Sequence, residues 1–260
     1  MTRVPERGDD ALPPALILAA GKGMRLGELG RRCAKVLVSI DGRPLLDLQL
    51  EHLARQGVQR VVINAHHLSS QITEHIRCYT GTLRVTVLVE PSLRGTAGAA
   101  INALSALGDR TFLVLYGDVL NFEPFAPLLR THFETGAVAT LCVYERDETR
   151  NKGVVETDER DRVTSFAEKD PARAGPGLVN AGLYVIEPLL LAGFPRDACL
   201  DFGHDVFPAA LRAGHHLHVR RIPNPVLDIG TPEDLVRAST DPALIDGGCD
   251  PGASPGAAPA

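Results

Sequence analysis

No run of apolar residues in this chain approaches the ~20 that a bilayer-spanning helix needs, and its charged opening, MTRVPERGDD, lacks the apolar core of a signal peptide. A membrane anchor and export are therefore not expected, and a cytoplasmic location is. Positive charge is not in excess either. The 27 Lys and Arg against 32 Asp and Glu give a formal net charge of −5 over 260 residues. A general nucleic-acid or acidic-membrane binder needs a basic footprint, so neither partner is expected, although locally clustered Lys and Arg can still hold a small polyanion. Cysteine is sparse. Cys33, Cys78, Cys142, Cys199 and Cys249 are scattered without metal-type spacing, which reads as reduced thiols and not as a zinc site or a disulfide framework. The nine histidines lack companion acids or thiols at ligand spacing and read as surface residues. No period of 20–50 residues suggests a repeat protein.

What remains is ordinary globular composition, 44% hydrophobic and 23% charged. Residues 1–13 are polar, and 246–260, DGGCDPGASPGAAPA, is a Gly/Pro/Ala segment that cannot bury a core. These segments predict disordered tails over 1–13 and 241–260 around one domain, 14–240. Within it, strand and helix alternate. ALILAA (15–20) is a continuous apolar run suited to a strand covered on both faces. Leu46, Leu50, Leu53 and Ala54 share a helical face ahead of Gly57, a stop signal. RVVINA (60–65), LRVTVLVE (83–90) and TFLVLYGD (111–118) read as strands, separated by helices over 69–78 and 96–107. Beyond residue 137 the pattern turns to strands joined by turns, then a helix over 205–214 and a closing helix capped by Thr231 with Pro232 at its first position. Such alternation predicts an α/β fold, a Rossmann-like mixed, mainly parallel sheet flanked by helices. Ligands in such sheets sit beyond the carboxyl ends of the strands.

One strand end stands out. AAGKGMRLG follows ALIL, and glycines there let backbone N–H groups turn toward an anion while Arg25 and Lys35 can neutralise phosphate charge. A dinucleotide-binding fingerprint fails because the third glycine is misplaced, and a Walker-type loop fails because no Ser or Thr follows Gly-Lys in frame. A plain strand-to-helix turn would explain Gly21 and Gly23 but leave Arg25 and Lys35 idle.

LAAGKGMRLGELGRRCAKVL resembles the opening signature of the sugar-phosphate nucleotidyltransferases, the nucleotide-sugar pyrophosphorylases. The likeness continues in chain order through VEPSLRGTAGAA, LYGDV, GVVETDERDRVTSFAEK, VNAGLYVI and DIGTPEDL, covering roughly residues 15–238. Two positions depart from the family form: Met24 replaces a Thr or Ser, and Ala34 replaces the proline before the lysine. The general look is closest to guanylyltransferases acting on mannose or manno-configured heptose 1-phosphate. It is also similar to uridylyl-transferring members and to relatives whose acceptor is a sugar-like cyclitol phosphate.

The resemblance implies a GT-A-type version of the fold and a reaction in which a sugar 1-phosphate oxygen attacks the α-phosphorus of a nucleoside triphosphate and expels pyrophosphate. It implies that Ala19, Ala20, Gly21 and Gly23 wrap the triphosphate, that Arg25 draws charge from the departing pyrophosphate, and that Lys35 steadies the α-phosphate. Asp118 and Asp228 would ligate one Mg²⁺, a hard cation that suits oxygen. Glu90 would read the base, with Gly95 leaving room for it and Thr96 opening a helix whose N–H groups face it. A carboxylate matches the adjacent N1–H and N2–H of guanine, which favours GTP. Gly153, Glu168, Lys169 and Asn180 would take the acceptor. A homo-oligomer is compatible with the sequence, which leaves assembly open. Two other classes compete. A glycosyltransferase would normally show Asp-x-Asp where this chain has GDV, and a non-catalytic relative would have lost some of Arg25, Lys35, Asp118 and Asp228.

Overall fold

The computed structural model describes residues 12–108, 110–170, 173–223 and 226–240. Cys249 and all of the expected tails save residues 12 and 13 lie outside them. Strand β1 (Ala15–Leu18) is buried on both faces: Leu16 packs into one core cluster, Ala15 and Ile17 into another. That is why the run lacks alternation. The strand is shorter than the apolar run because the Ala19 N–H leaves the ladder for Asn64 Oδ1, 2.8 Å away.

After β1 come the short helix α1 (Glu28–Arg32) and a two-stranded ribbon, β2 (Ser39–Ile40) with β3 (Arg43–Pro44). Helix α2 (Leu45–Arg55) turns at Gly57, whose φ of 93° suits a residue without Cβ. Then follow β4 (Arg60–Ala65), α3 (Ser69–Arg77), β5 (Arg84–Val89), α4 (Gly95–Leu107) and β6 (Phe112–Tyr116). Strands β6, β1, β4 and β5 lie side by side and parallel.

The second half adds antiparallel pairs, as expected. Strand β7 (Val119–Leu120) and helix α5 (Phe125–Thr135) precede β8 (Ala139–Arg146), and β9 (Gly153–Thr157) and β10 (Val163–Glu168) form a hairpin. The long β11 (Gly177–Ile186) pairs with β9 through its start and with β6 through its end. It changes partner at a bulge where Gly182 has φ 67° and lies against the Tyr116 ring, 3.0 Å from where a Cβ would stand. Helix α6 (Phe207–Arg212) is entered through a wider turn over Phe202–Val206, and β12 (Leu217–Arg221) runs parallel to β8.

Strand β13 (Leu227–Asp228) pairs with β7, and α7 (Pro232–Thr240) closes the described chain. Thr231 caps α7 as expected. The Asp234 N–H donates to Thr231 Oγ1 at 3.2 Å, and the Asp234 carboxylate accepts the Thr231 N–H at 3.0 Å, a reciprocal capping box. The histidines depart from the expectation of surface positions. His52 and His132 are buried, and His132 bridges Thr140 and Glu187. Among the described residues no helix is long and apolar enough to cross a membrane.

Candidate functional site

The carboxyl ends of β1, β4, β5 and β6 open into a cleft of about 250 Å³. Its lining includes Ala19, Ala20, Gly21, Lys35, Glu90, Gly95, Thr96 and Asp118 from the sequence-derived set, together with Asn64, Leu93, Tyr116 and Asp201. Gly117 explains why Asp118 arrives there: its N–H donates to the Leu18 carbonyl at 2.9 Å, and a Cβ would meet that oxygen at 2.6 Å. The end of β6 is therefore pressed onto the end of β1.

Around Asp118 the charges interlock. Lys35, only 9% exposed, places Nζ 2.5 Å from Asp118 Oδ2. Lys152 Nζ stands 3.0 Å from Asp228 Oδ2. The two aspartates sit on neighbouring backbone, because β7 pairs with β13 and the Ile229 N–H donates to the Asp118 carbonyl at 2.8 Å. Burial opposes the charged form of Asp228, but Lys152, with Lys35 and Arg25 further out, overcomes it and holds the carboxyl below its ordinary range. Arg25 reaches the same place: its guanidinium lies over Gly230, 3.2 Å from where a Cβ would be. Arg25, Lys35, Asp118 and Asp228 thus converge beside the glycine turn, joined by Lys152, which stands outside the sequence-derived set. Lysine in a turn carries no periodic signal; only its place before Gly153 in NKGVV marked it.

Gly23 takes the left-handed conformation, φ 62°, while a Cβ on Gly21 would meet nothing within 4 Å. The turn is open on its outer side, and Met24 is exposed. Ala34 keeps a φ of −58° with its N–H bonded to Gln71 Oε1 at 2.9 Å, a contact that proline could not make.

Across the cleft, Glu90 is buried. Its Oε1 accepts from Asn64 Nδ2 at 3.3 Å, and Oε2 has no partner. Burial pushes its carboxyl above the ordinary range, with Asn64 and Arg94 opposing. An unpaired buried carboxylate oxygen is costly, and Glu90 is among the residues that line the cleft.

The start of α4 is tied to the segment around Leu200, while Gly95 and Thr96 line the cleft. The N–H groups of Ala97 and Gly98 do not face the cleft, because both donate to the Leu200 carbonyl, at 2.9 and 3.0 Å. Gly95 is a glycine for the same contact: its φ is 71° and a Cβ would lie 2.3 Å from Leu200 O. Thr96 uses its hydroxyl to hold the segment after Leu200, donating to Asp201 Oδ2 at 2.7 Å and accepting the Phe202 N–H at 2.9 Å.

The acceptor-side residues gather next door. A Cβ on Gly153 would stand 2.6 Å from Glu168 Oε2, so this glycine makes room for the glutamate. A Cβ on Gly203 would lie 2.8 Å from the same oxygen. Burial raises the Glu168 carboxyl above its usual range and nearby Asp201 adds to the effect, whereas Lys169, 3.4 Å away, opposes it. Asn180 is engaged internally: Nδ2 donates to the Tyr184 hydroxyl at 2.6 Å, and Oδ1 accepts the Gly182 N–H at 3.0 Å. The Tyr184 hydroxyl then donates to that of Tyr116 at 3.1 Å, forming a chain under the cleft that the sequence did not reveal. Burial pushes both phenols above their ordinary range.

Among the described residues no group of three or more His, Cys, Asp or Glu side chains could hold a metal ion by itself. The site offers two carboxylates on neighbouring backbone, Asp118 and Asp228, each ion-paired to a lysine.

Comparisons with known proteins bear on the family and the fold. The family model described as nucleotidyl transferase matches residues 14–243. The mannose-1-phosphate guanylyltransferase of Mycobacterium tuberculosis is 32% identical over 87% of this chain and 64% of its own length. A UTP–glucose-1-phosphate uridylyltransferase of Synechocystis is 28% identical over 86% of this chain and 62% of its own. The chain thus spans less than two thirds of the length of these relatives. A crystal structure of HddC from Yersinia pseudotuberculosis complexed with GMP-PN superposes with a TM-score of 0.76 at 26% identity, covering 88% of this chain and 98% of that one.

Proposed function

Because the chain belongs to the nucleotidyl transferase family, we propose that it couples a nucleoside triphosphate, GTP by preference, to a sugar 1-phosphate, giving a nucleotide-activated sugar and pyrophosphate. The observation that carries this reading is the meeting of Arg25, Lys35 and Lys152 with Asp118 and Asp228 beside the glycine turn. Those cations suit a phosphate chain lying along the cleft mouth.

The attacking group is a phosphate monoester with a second pKa of about 6, so its oxygen already carries charge at neutral pH and no side chain has to take a proton. That oxygen bonds to the α-phosphorus, the bridge from the α- to the β-phosphate breaks, and its electron pair leaves with pyrophosphate. Positioning and charge neutralisation supply the catalysis. Lys35, held deep and aimed by Asp118, steadies the α-phosphate. Arg25, at the open lip over Gly230, meets the leaving pyrophosphate. Lys152 adds a third positive charge on the acceptor side.

Magnesium is part of the proposal. Asp118 and Asp228 would hold it: two hard oxygen donors fit an ion that commonly takes one or two carboxylates and completes its shell with phosphate and water. Bound there, it would neutralise charge on the phosphates.

Guanine is favoured by Glu90, whose unpartnered Oε2 offers an acceptor for the paired N1–H and N2–H donors. The guanylyltransferase names among the relatives and the GMP-PN complex of the structural neighbour support this choice. The acceptor is a manno-type hexose or heptose 1-phosphate, or a sugar-like cyclitol phosphate, taken by Glu168, Lys169 and the Asn180–Tyr184–Tyr116 chain. The test is a matrix of four nucleoside triphosphates against sugar 1-phosphates with release of pyrophosphate as readout. Turnover with no pair, or release that does not depend on the sugar phosphate, would overturn the reading.

A further inference from the structure

Lys35 reaches Asp118 from the short connection that follows α1, whose backbone is extended: Cys33 has φ −127° and ψ 133°, Ala34 φ −58° and ψ 132°. Extended backbone outside a ladder leaves its N–H and C=O groups to find partners elsewhere. Here the connection from β4 into α3 supplies them. His67 Nε2 lies 3.2 Å from the Gly30 carbonyl. Gln71 spans Cys33: its Nε2 donates to the Arg32 carbonyl at 2.8 Å, and its Oε1 accepts the Ala34 N–H at 2.9 Å. One amide therefore fixes the backbone on both sides of the residue preceding Ala34, and Lys35 follows at once.

We propose that Gln71 is a positioning residue, its side-chain amide bridging the end of α1 at Arg32 to Ala34 and so clamping Cys33 and Ala34 in the extended form that delivers Lys35 Nζ to the cleft. The proposal rests on the role given to Lys35 above. Gln71 is not among the cleft-lining residues, so it acts only through the loop. A displacement of about 1 Å at a reacting centre can cost about a hundredfold in rate, and a lysine on an unclamped loop has that freedom.

The geometry also provides a control. The φ of Ala34 is within the proline range, and Cys33 already has the conformation required before proline. Ala34→Pro therefore presets the same backbone without an amide. In the wild-type background, however, the ring carbon would occupy the place of an N–H that lies 2.9 Å from Gln71 Oε1, too close for carbon. The two changes should offset each other: each harmful alone, together restoring the loop. A residue of general structural importance would not show that reversal.

The experiment measures kcat and both KM values by pyrophosphate release, and amide hydrogen exchange over residues 32–37, in wild type, Gln71→Ala, Ala34→Pro and the double variant. For Gln71→Ala we expect faster exchange at Lys35 and Val36 and a kcat lower by about tenfold or more, with KM values within about threefold. The double variant should recover most of the lost kcat. Gln71→Glu, which keeps the acceptor for Ala34 and loses the donor to Arg32, should fall between. Unchanged exchange in Gln71→Ala would overturn the clamp. Faster exchange with intact kcat, or a double variant whose exchange recovers while kcat does not, would overturn its role in positioning Lys35. If the double variant does not fold, a Gln71→Glu enzyme as impaired as Gln71→Ala would count against the Ala34 contact. Exchange is read without turnover, so a wild type that releases no pyrophosphate would refute the proposed function while leaving the clamp itself decided.

Discussion

Lys35 and Asp118 are separated by 83 residues, yet their side chains meet at 2.5 Å, with the lysine almost wholly enclosed. Such a pair is weak evidence for stability, and its position at the mouth of a cleft lined by a glycine turn gives it a functional reading. Asp118→Asn should lower kcat by about a hundredfold or more in a protein that still folds but melts earlier, because the buried Lys35 loses its counter-charge, and Lys35→Ala should lower kcat comparably. Steady-state rates beside melting curves check both. Near wild-type turnover in either variant would remove that residue from the mechanism.

Glu90→Gln exchanges the free acceptor Oε2 for an amide that cannot accept both guanine donors. Charge-assisted hydrogen bonds contribute about 1.5–3 kcal/mol each, so kcat/KM for GTP should fall about tenfold or more relative to UTP and ATP. Rates across four triphosphates in both proteins provide the comparison. An unchanged preference would mean that the base is chosen elsewhere.

The same substitution has a pH signature. Burial raises the folded-state pKa of Glu90 above its unfolded value. Between the two, the folded protein holds more protons, so stability falls as pH rises through that interval and stays lower above it. Wild type should therefore lose stability relative to Glu90→Gln as the solution goes from acid to neutral. Melting temperatures of both proteins from pH 4 to pH 8 test this, and parallel curves would show that Glu90 does not titrate as an isolated buried acid.

Gly95→Ala should destabilise the protein, because a left-handed residue with a side chain costs about 1–2 kcal/mol and the new Cβ would also press on Leu200 O. Urea titration should show the loss. A variant of wild-type stability with an altered KM for the triphosphate would instead favour the sequence-based view, in which this glycine admits the base.

Much of the fold could be read from local pattern. The apolar runs over 15–18, 60–65 and 112–116 are strands, and Gly57 and Thr231 terminate and cap as their chemistry dictates. Helix α5 was passed over although Phe125, Leu128, Leu129 and His132 recur at helical spacing and Gly136 closes it in the left-handed form. Ser69 reads as a cap but is already helical; the residue before α3 is Leu68, with φ 51° and no side-chain cap. Local rules describe what a residue can do in its own segment, and here the approach of α3 to the connection that follows α1 decided the entry.

The sequence alone determined which residue types would carry charge at the strand ends, since glycines, a lysine, an arginine and two aspartates stand in recognisable motifs at Gly21, Gly23, Arg25, Lys35, Asp118 and Asp228. Only the tertiary structure decided their partners. Lys152 rather than a neighbour in sequence holds Asp228, Leu200 takes the helix N–H groups expected to face the base, and Tyr184 occupies Asn180. The physical reason is that periodicity and capping are set within a few residues, whereas a hydrogen bond or ion pair between distant segments depends on how crossovers and bulges bring strand ends together.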